Sequence, residues 1–287
     1  MYCDKQTGCI ERVSLTEAFM ERNLYRDEVH NADDPVKIER DLAQYERKAS
    51  DLIKQFRDKD EVTLTEEDDA LLKLFLSIMS FRSDRTREYF ESEMKEADKK
   101  FYRTFQEDMN FSDFWIRNLG HLVTCRSYED VHKHPDIDDA VKAWMLKNTT
   151  GWFGTYFVLA EKRGHEEFII GDDYPIDIYG LDENGQKREF YSIFPISPDR
   201  ALFLVYNGVQ WVAPAVRGFD MDFLKSPTVS NNGRSETIKV KKIYENDVRK
   251  VNAITYNSVK KYFAFRDCDA VSIDDYKTIH ELWMERL

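Results

Sequence analysis

The sequence predicts an α+β fold, an N-terminal helical half packed against a mostly antiparallel β-sheet and closed by C-terminal helices. Three observations predict it. Apolar residues recur every three or four positions through the first half. From Trp152 onward β-branched and aromatic residues dominate, punctuated by Gly, Asn, Asp and Pro. Helical periodicity then returns near Asp247, and helices before strands before helices is the α+β order. The 287 residues suffice for a sizeable core and are read as one domain, 1–287, with a seam near Gly151. Residues 1–150 are its mainly helical half after an opening hairpin, and 151–287 its sheet and closing helices.

Residues 1–13 read as that hairpin, because short apolar alternation flanks Lys5-Gln6-Thr7-Gly8 and Gly8 can supply positive φ. Ser14-x-x-Glu17 is a capping box for a short helix. Asp34-Pro35 marks the start of a long one, with Asp as N-cap and Pro in the first helical position. Along it Ile38, Leu42, Tyr45, Ala49, Leu52, Ile53 and Phe56 form one apolar stripe, opposite a charged face. Thr65 caps another helix, with Glu66, Glu67 and Asp68 where the helix dipole favours anions. Leu71, Leu72, Phe75, Leu76, Met79 and Phe81 form its buried face. The pattern runs on past Arg82 through Tyr89, Phe90, Met94, Phe101 and Phe105, as one very long or broken helix. Helical pieces follow over Phe111–Leu122 and Asp138–Leu146.

Strands are expected at 155–161, 167–171, 176–180, 188–194, 201–206 and 209–213, with Glu183-Asn184-Gly185 as a hairpin turn. Helices return over Asp247–Phe263 and Ile273–Arg286. Between them Ser226 to Thr237 reads as an exposed loop, a candidate lid. Lys162-Arg163-Gly164-His165 reads as a hairpin tip.

Apolar residues make up 42% and aromatics 14%, too much for a disordered chain. The formal net charge of -12 repels a phosphate backbone, so non-specific nucleic-acid binding is disfavoured. No apolar run reaches the roughly 18 residues of a spanning helix. The N-terminal residues lack the basic start and apolar core of a signal peptide. Cys3, Cys9, Cys125 and Cys268 include no CxxC pair and are expected as free thiols. These features predict a soluble, cytoplasmic protein without a membrane segment.

The chemistry-bearing candidate is the turn after an apolar run, FIIGDDYPIDIYG. Asp172 and Asp173 follow a buried strand, and Asp177 stands two residues past Pro175. Carboxylates at such a strand end can hold a divalent cation through oxygen ligands, and that ion can polarise a phosphate ester. A turn-forming role accounts for Asp172 as well, since Asp and Pro favour turns for local reasons. Arg82, Arg85 and Arg87 cluster where two helices meet and can grip a phosphate bidentately or pair with nearby acids.

His132, His134 and Asp136 alternate in His132-Lys133-His134-Pro135-Asp136, as metal ligands can in an extended segment, or as a solvated loop. Arg126 and His132, six positions apart, are superficially similar to the Arg-x4-6-His element of helical ribonucleases of the HEPN type. Ser127 follows the Arg, where a polar amide or acid is more usual. There is no GxGxxG, P-loop, GxSxG or HExxH, which speaks against nucleotide-fold enzymes and α/β-hydrolases.

Five segments in this order resemble the domain of unknown function (DUF) 4238 family, a mainly bacterial group. They are the YCDKQTG hairpin, the helices through ERKASDLIKQF and LTEEDDALLKLFLSIMSFRSDRTRE, the FIIGDDYPI strand-turn, the FPISPDRALFL strand, and VNAITYNSVKKYFAFRDCDAVS. The resemblance covers essentially the whole chain and implies an α+β fold without implying an activity. Family members carry a segment with a His and a Pro before the hairpin, and this sequence starts at the hairpin. Their strand-end turn is closer to Thr-Ser-Asp-Asn-Pro than to Gly171-Asp172-Asp173-Tyr174-Pro175. The family's scattered distribution resembles that of phage-defence genes.

Two functions are therefore expected. One is a metal-dependent hydrolase acting on a phosphate ester or nucleic acid. In it Asp172 and Asp173 hold a divalent cation such as Mg²⁺ or Mn²⁺ or serve as acid and base, and Arg82 binds substrate. The other is a non-catalytic module, a phage-defence accessory or a binder of a protein partner.

Overall fold

A computed structural model of the chain describes residues 1–13, 31–96, 111–149, 155–181, 187–206, 213–214, 221–225, 229–231 and 235–284. Among these residues eight helices and two mostly antiparallel sheets make the fold α+β, as the sequence predicts. The chain divides into two compact units. Met1–Met20, Gln55–Leu64 and Gly151–Leu287 form a sheet unit, and Glu21–Lys54 with Thr65–Thr150 form a helical unit.

Helix α1 (Lys37–Asp58), part of the helical unit up to Lys54 and of the sheet unit from Gln55, opens after a turn at 35–36, slightly later than the Asp34-Pro35 signal suggests. The Asp34 carboxylate takes the Arg40 guanidinium instead of capping the helix. Ile38, Leu42, Tyr45, Ala49 and Leu52 are buried, as their spacing requires. Thr65 caps α2 (Glu66–Arg82) in a full capping box with Asp68, whose N–H donates to Thr65 Oγ1 at 3.1 Å. This helix is buried on nearly every side, Lys73 included, so its apolar face is wider than one stripe. It breaks at Ser83, whose Oγ accepts from Thr86 N and starts α3 (Asp84–Glu96).

Phe81, Phe90, Trp115 and Trp144 stack edge-on and face-on around that break. Helices α4 (Phe111–Leu122), α5 (Tyr128–Lys133) and α6 (Asp139–Thr149) complete the unit. Helix α5 corrects the extended or loop reading at His132 and Lys133, while 134–136 lie in a loop as expected. Ser127 and Asp130 form a second capping box, which winds His132 and Lys133 into a helix. The helix expected from Ser14 and the continuation through Phe101 and Phe105 lie outside the described residues.

In the sheet unit, β1 (Tyr2–Asp4) and β2 (Ile10–Glu11) form the expected hairpin, with Gly8 at φ 71°. The five-residue β3 (Glu61–Thr65), missed between two helical signals, alternates exposed and buried. The strands β4 (Thr155–Lys162), β5 (Ile170–Gly171), β6 (Ile176–Leu181), β7 (Lys187–Pro195), β8 (Arg200–Tyr206) and β9 (Ala213–Pro214) follow. Expected residues 209–212 and the turn at 183–185 lie outside the described set.

Next come β10 (Val229–Asn231) and β11 (Ser235–Ile243), then α7 (Glu245–Ser258), β12 (Tyr262–Ala264) and α8 (Ile273–Met284). One sheet runs β2-β1-β12-β5 and the other β10-β11-β4-β8-β7-β6-β9, with β3 on β11. Only the β11–β4 pair is recorded as parallel among the described strands.

Three expectations change here. Of the predicted lid at 226–237, residues 229–231 and 235–237 lie in the antiparallel β10–β11 pair, with Val229 opposite Ile238. The turn at 162–165 links two sheets rather than two paired strands, because β5 pairs with β12. The helix expected to reach Phe263 stops at Ser258, and Tyr262–Ala264 turns into the strand between β1 and β5.

Candidate functional site

The strand end singled out by sequence is a clasp. Asp172 Oδ1 accepts from Lys260 N at 2.9 Å, and Oδ2 accepts from Lys261 N and Tyr262 N, both at 2.7 Å. The Lys5 ammonium donates to Val259 O at 2.8 Å, capping the same helix end. These bonds explain why α7 stops: a carboxylate anchored on β5 draws three successive N–H groups out of helical register. Gly171 permits the close approach, since a Cβ there would stand 2.5 Å from Val259 Cγ2.

Asp173 is buried, and Asp177 Oδ1 accepts from Ser192 Oγ at 2.8 Å. In the helical unit Arg82 donates to Glu46 Oε1 at 2.7 Å and to Met79 Sδ. Asp172→Ala is expected to destabilise the protein by about 2–3 kcal/mol through loss of three charge-assisted bonds. Urea denaturation measures this; a loss below about 0.5 kcal/mol, the range of ordinary surface changes, would show the clasp contributes little.

A second cluster of the sheet unit was not legible in the sequence. Glu166, 3% exposed, accepts from Tyr276 Oη, Ser272 N, Ser272 Oγ and Arg249 Nε. Asn252, fully buried, donates to Glu167 O at 2.6 Å and Tyr276 Oη at 2.9 Å, and accepts from Ile169 N at 3.1 Å. Burial and the Glu166 carboxylate raise the Tyr276 phenol's pKa far above its usual value. These groups join α7 and α8 to the 166–169 segment. A cavity of about 330 Å³ lies nearby between Ile10, Phe265, Cys268, Ile273 and Asp275, and none of the expected site residues lines it.

The helical unit brings together three metal-ligating side chains. His121 closes α4, His134 caps the C-terminus of α5, and Asp136 sits in the loop that follows. One ligand atom from each lies within 4.8 Å of the other two. The two imidazole centroids are 4.9 Å apart. His134 Nδ1 accepts from Asp136 N at 3.2 Å, which fixes the loop under the rings. Burial, and then the neighbouring His134, lower the His121 pKa and favour its neutral imidazole.

Sequence reasoning found His134 and Asp136 but paired them with His132. The helix turns His132 away, over Tyr128. The Ser127-x-x-Asp130 box was the signal that could have placed His132 on a helix, while His121 had none.

Arg117 stands one turn before His121 on α4, so both project from one face. Its Nε is buried and makes no hydrogen bond. Asp138, buried beside it, has its pKa raised by burial, against the pull of its bond from Ala140 N and of Arg117. Lys37, at the start of α1, also acts on His121 and is itself paired with Asp41. Gly120 allows this approach: a Cβ there would meet Ile38 Cδ1 at 3.2 Å.

Among the described residues no helix is long and apolar enough to cross a membrane. No curated protein and no solved structure matches the chain. The family described as "Protein of unknown function (DUF4238)" matches residues 1–269, through both units, and the chain belongs to it.

Proposed function

We propose that the protein is a metal-dependent hydrolase acting on a phosphate ester, with its ion held by His121, His134 and Asp136. The single observation that carries this is the convergence of two imidazoles and a carboxylate within 4.8 Å. Ligand atoms on a tetrahedral ion with bonds of about 2.0–2.2 Å stand about 3.3–3.6 Å apart, so loading closes the widest pair by at most about 1.2–1.5 Å. Three protein ligands leave a position for water or substrate, as catalytic sites do and closed structural sites do not. Two imidazoles shift the preferred ion from the expected Mg²⁺ towards Zn²⁺ or another nitrogen-seeking metal, with Mn²⁺ within reach. Such an ion supplies Lewis acidity toward a phosphoryl oxygen and a more acidic water.

Asp172 and Asp173 are weaker candidates for the ion than the sequence suggests. Binding at Asp172 would compete with three backbone N–H bonds. Arg82, already bonded to Glu46, would have to leave that partner to grip substrate. All four cysteines are free, which supports a reducing, cytoplasmic location. The clasp itself favours the second reading, a non-catalytic module that binds a protein partner, because it spends the candidate carboxylate on backbone.

Calorimetry separates the two. Zn²⁺ is expected to bind saturably to the wild type, and at least about tenfold more weakly to His121→Ala or His134→Ala. Asp172→Asn is expected to leave the affinity unchanged. Hydrolysis of p-nitrophenyl phosphate should follow the same order. Loss of binding in the Asp172 variant alone would return the ion to the strand end. Absence of binding in the wild type would favour the protein-binding module.

A further inference from the structure

We infer that Arg117 is the substrate-anchoring residue of this site, and that the site takes a phosphoryl group or a similar tetrahedral oxyanion. The inference rests on the metal reading above and names its substrate chemistry. Four features of the helical unit converge on it. Arg117 lies one turn from His121 on the same face of α4. Its Nε is out of water and without a hydrogen-bond partner, and a buried donor left that way is costly until an acceptor arrives.

The remaining features are electrostatic. A divalent ion on two neutral imidazoles and one carboxylate retains a positive charge, which Arg117 increases. The charged groups facing Arg117 do not cancel this. Asp41 neutralises Lys37, and Asp138, whose Oδ1 already accepts from Ala140 N, brings one negative charge against the two positive ones. Lys142 extends toward Asp139 and adds no negative charge.

A planar guanidinium beside an open metal position suits an oxyanion that bridges the two, one oxygen on the ion and two on the fork. An apolar or cationic substrate would leave both charges unmatched. This role was assigned from sequence to Arg82, which the fold commits to Glu46. Arg117 gave no sequence signal, because nothing local marks His121, one turn after it, as a neighbour of His134 and Asp136.

The test uses the full chain loaded with Co²⁺, whose visible spectrum reports a ligand entering the open position, and inorganic phosphate as the probe. Phosphate is expected to shift the spectrum of the wild type saturably. Its affinity should fall by about tenfold or more in Arg117→Gln, the loss of one charge-assisted hydrogen bond, and recover in part in Arg117→Lys. Cobalt affinity should be retained in both variants, which shows that the site remains folded. A phosphate response equal in wild type and Arg117→Gln overturns the inference and leaves the metal reading standing. A cobalt-loaded wild type that ignores phosphate also overturns it. A wild type that binds no cobalt defeats the metal reading, and this inference with it.

Discussion

Replacing Asn252 by Leu is expected to destabilise the protein by about 3–5 kcal/mol, the range for breaking a buried polar network rather than a surface contact. Leu keeps the branched shape and the number of side-chain heavy atoms while removing every polar one, so the main loss is one of hydrogen bonding. Three buried groups lose their partner together: Ile169 N–H, Glu167 C=O and Tyr276 Oη. Each buried group left unsatisfied costs about 1–3 kcal/mol. Tyr276 keeps Glu166 as acceptor, which limits the total. Equilibrium urea unfolding measures the effect, and Tyr276→Phe provides the calibration, since it removes only one hydroxyl and is expected to lose less. A change below about 1 kcal/mol for Asn252→Leu would show that the 166–169 segment can find other partners or water.

Arg200→Met should be comparably severe, at about 3–5 kcal/mol, because it leaves the partly buried Glu161 carboxylate only Lys242 Nζ at 3.5 Å and strands two helix-end carbonyls. Arg200, 8% exposed at the start of β8, donates from Nε to Glu161 Oε2 at 2.9 Å across the β4–β8 pair. Its other nitrogens reach Phe56 O at 3.1 Å, Lys59 O, and Asp60 Oδ1 at 2.6 Å. One side chain thus closes the C-terminus of α1, where carbonyls have no partner within the helix, and fixes the entry to β3.

Arg200→Lys should recover only part of the loss. A lysine offers one charged nitrogen in place of a fork that serves strand, helix end and loop together. Thermal unfolding of both variants checks this. Equal midpoints for Arg200→Lys and wild type would mean that charge alone matters and the fork does not.

Much of the fold was legible because its signals are local. The Thr65–Asp68 box, the Gly8 turn and the α1 stripe are each set by a few neighbouring residues, so their physics is complete in the sequence. The strand cores at 155–162, 187–195 and 200–206 were legible for a related reason. The apolar, β-branched and aromatic stretches 156–160, 191–195 and 201–205 are buried on both faces in a central sheet.

The misreadings share a different cause. Helix periodicity continues past Ser258, yet the chain leaves the helix because Asp172, nearly ninety residues earlier, takes its next N–H groups. The 226–237 segment is polar enough to read as a loop, and it pairs because β11 already lies in the sheet beside β4. A paired carboxylate at a strand end looks the same in sequence whether it holds an ion or three amides.

The sequence by itself determined the α+β class, most helix and strand positions, and which residue types could do chemistry. Caps, turns and hydrophobic periods act over a few residues and need no partner from afar. Tertiary structure decided which of those residues meet. It spent Asp172 on the end of α7, bonded Arg82 to Glu46, and set His121 beside His134 and Asp136. A ligand cluster or a clasp is a coincidence in space of residues remote in sequence. Only the packing of helices and strands, which no local propensity specifies, brings such residues to bonding distance.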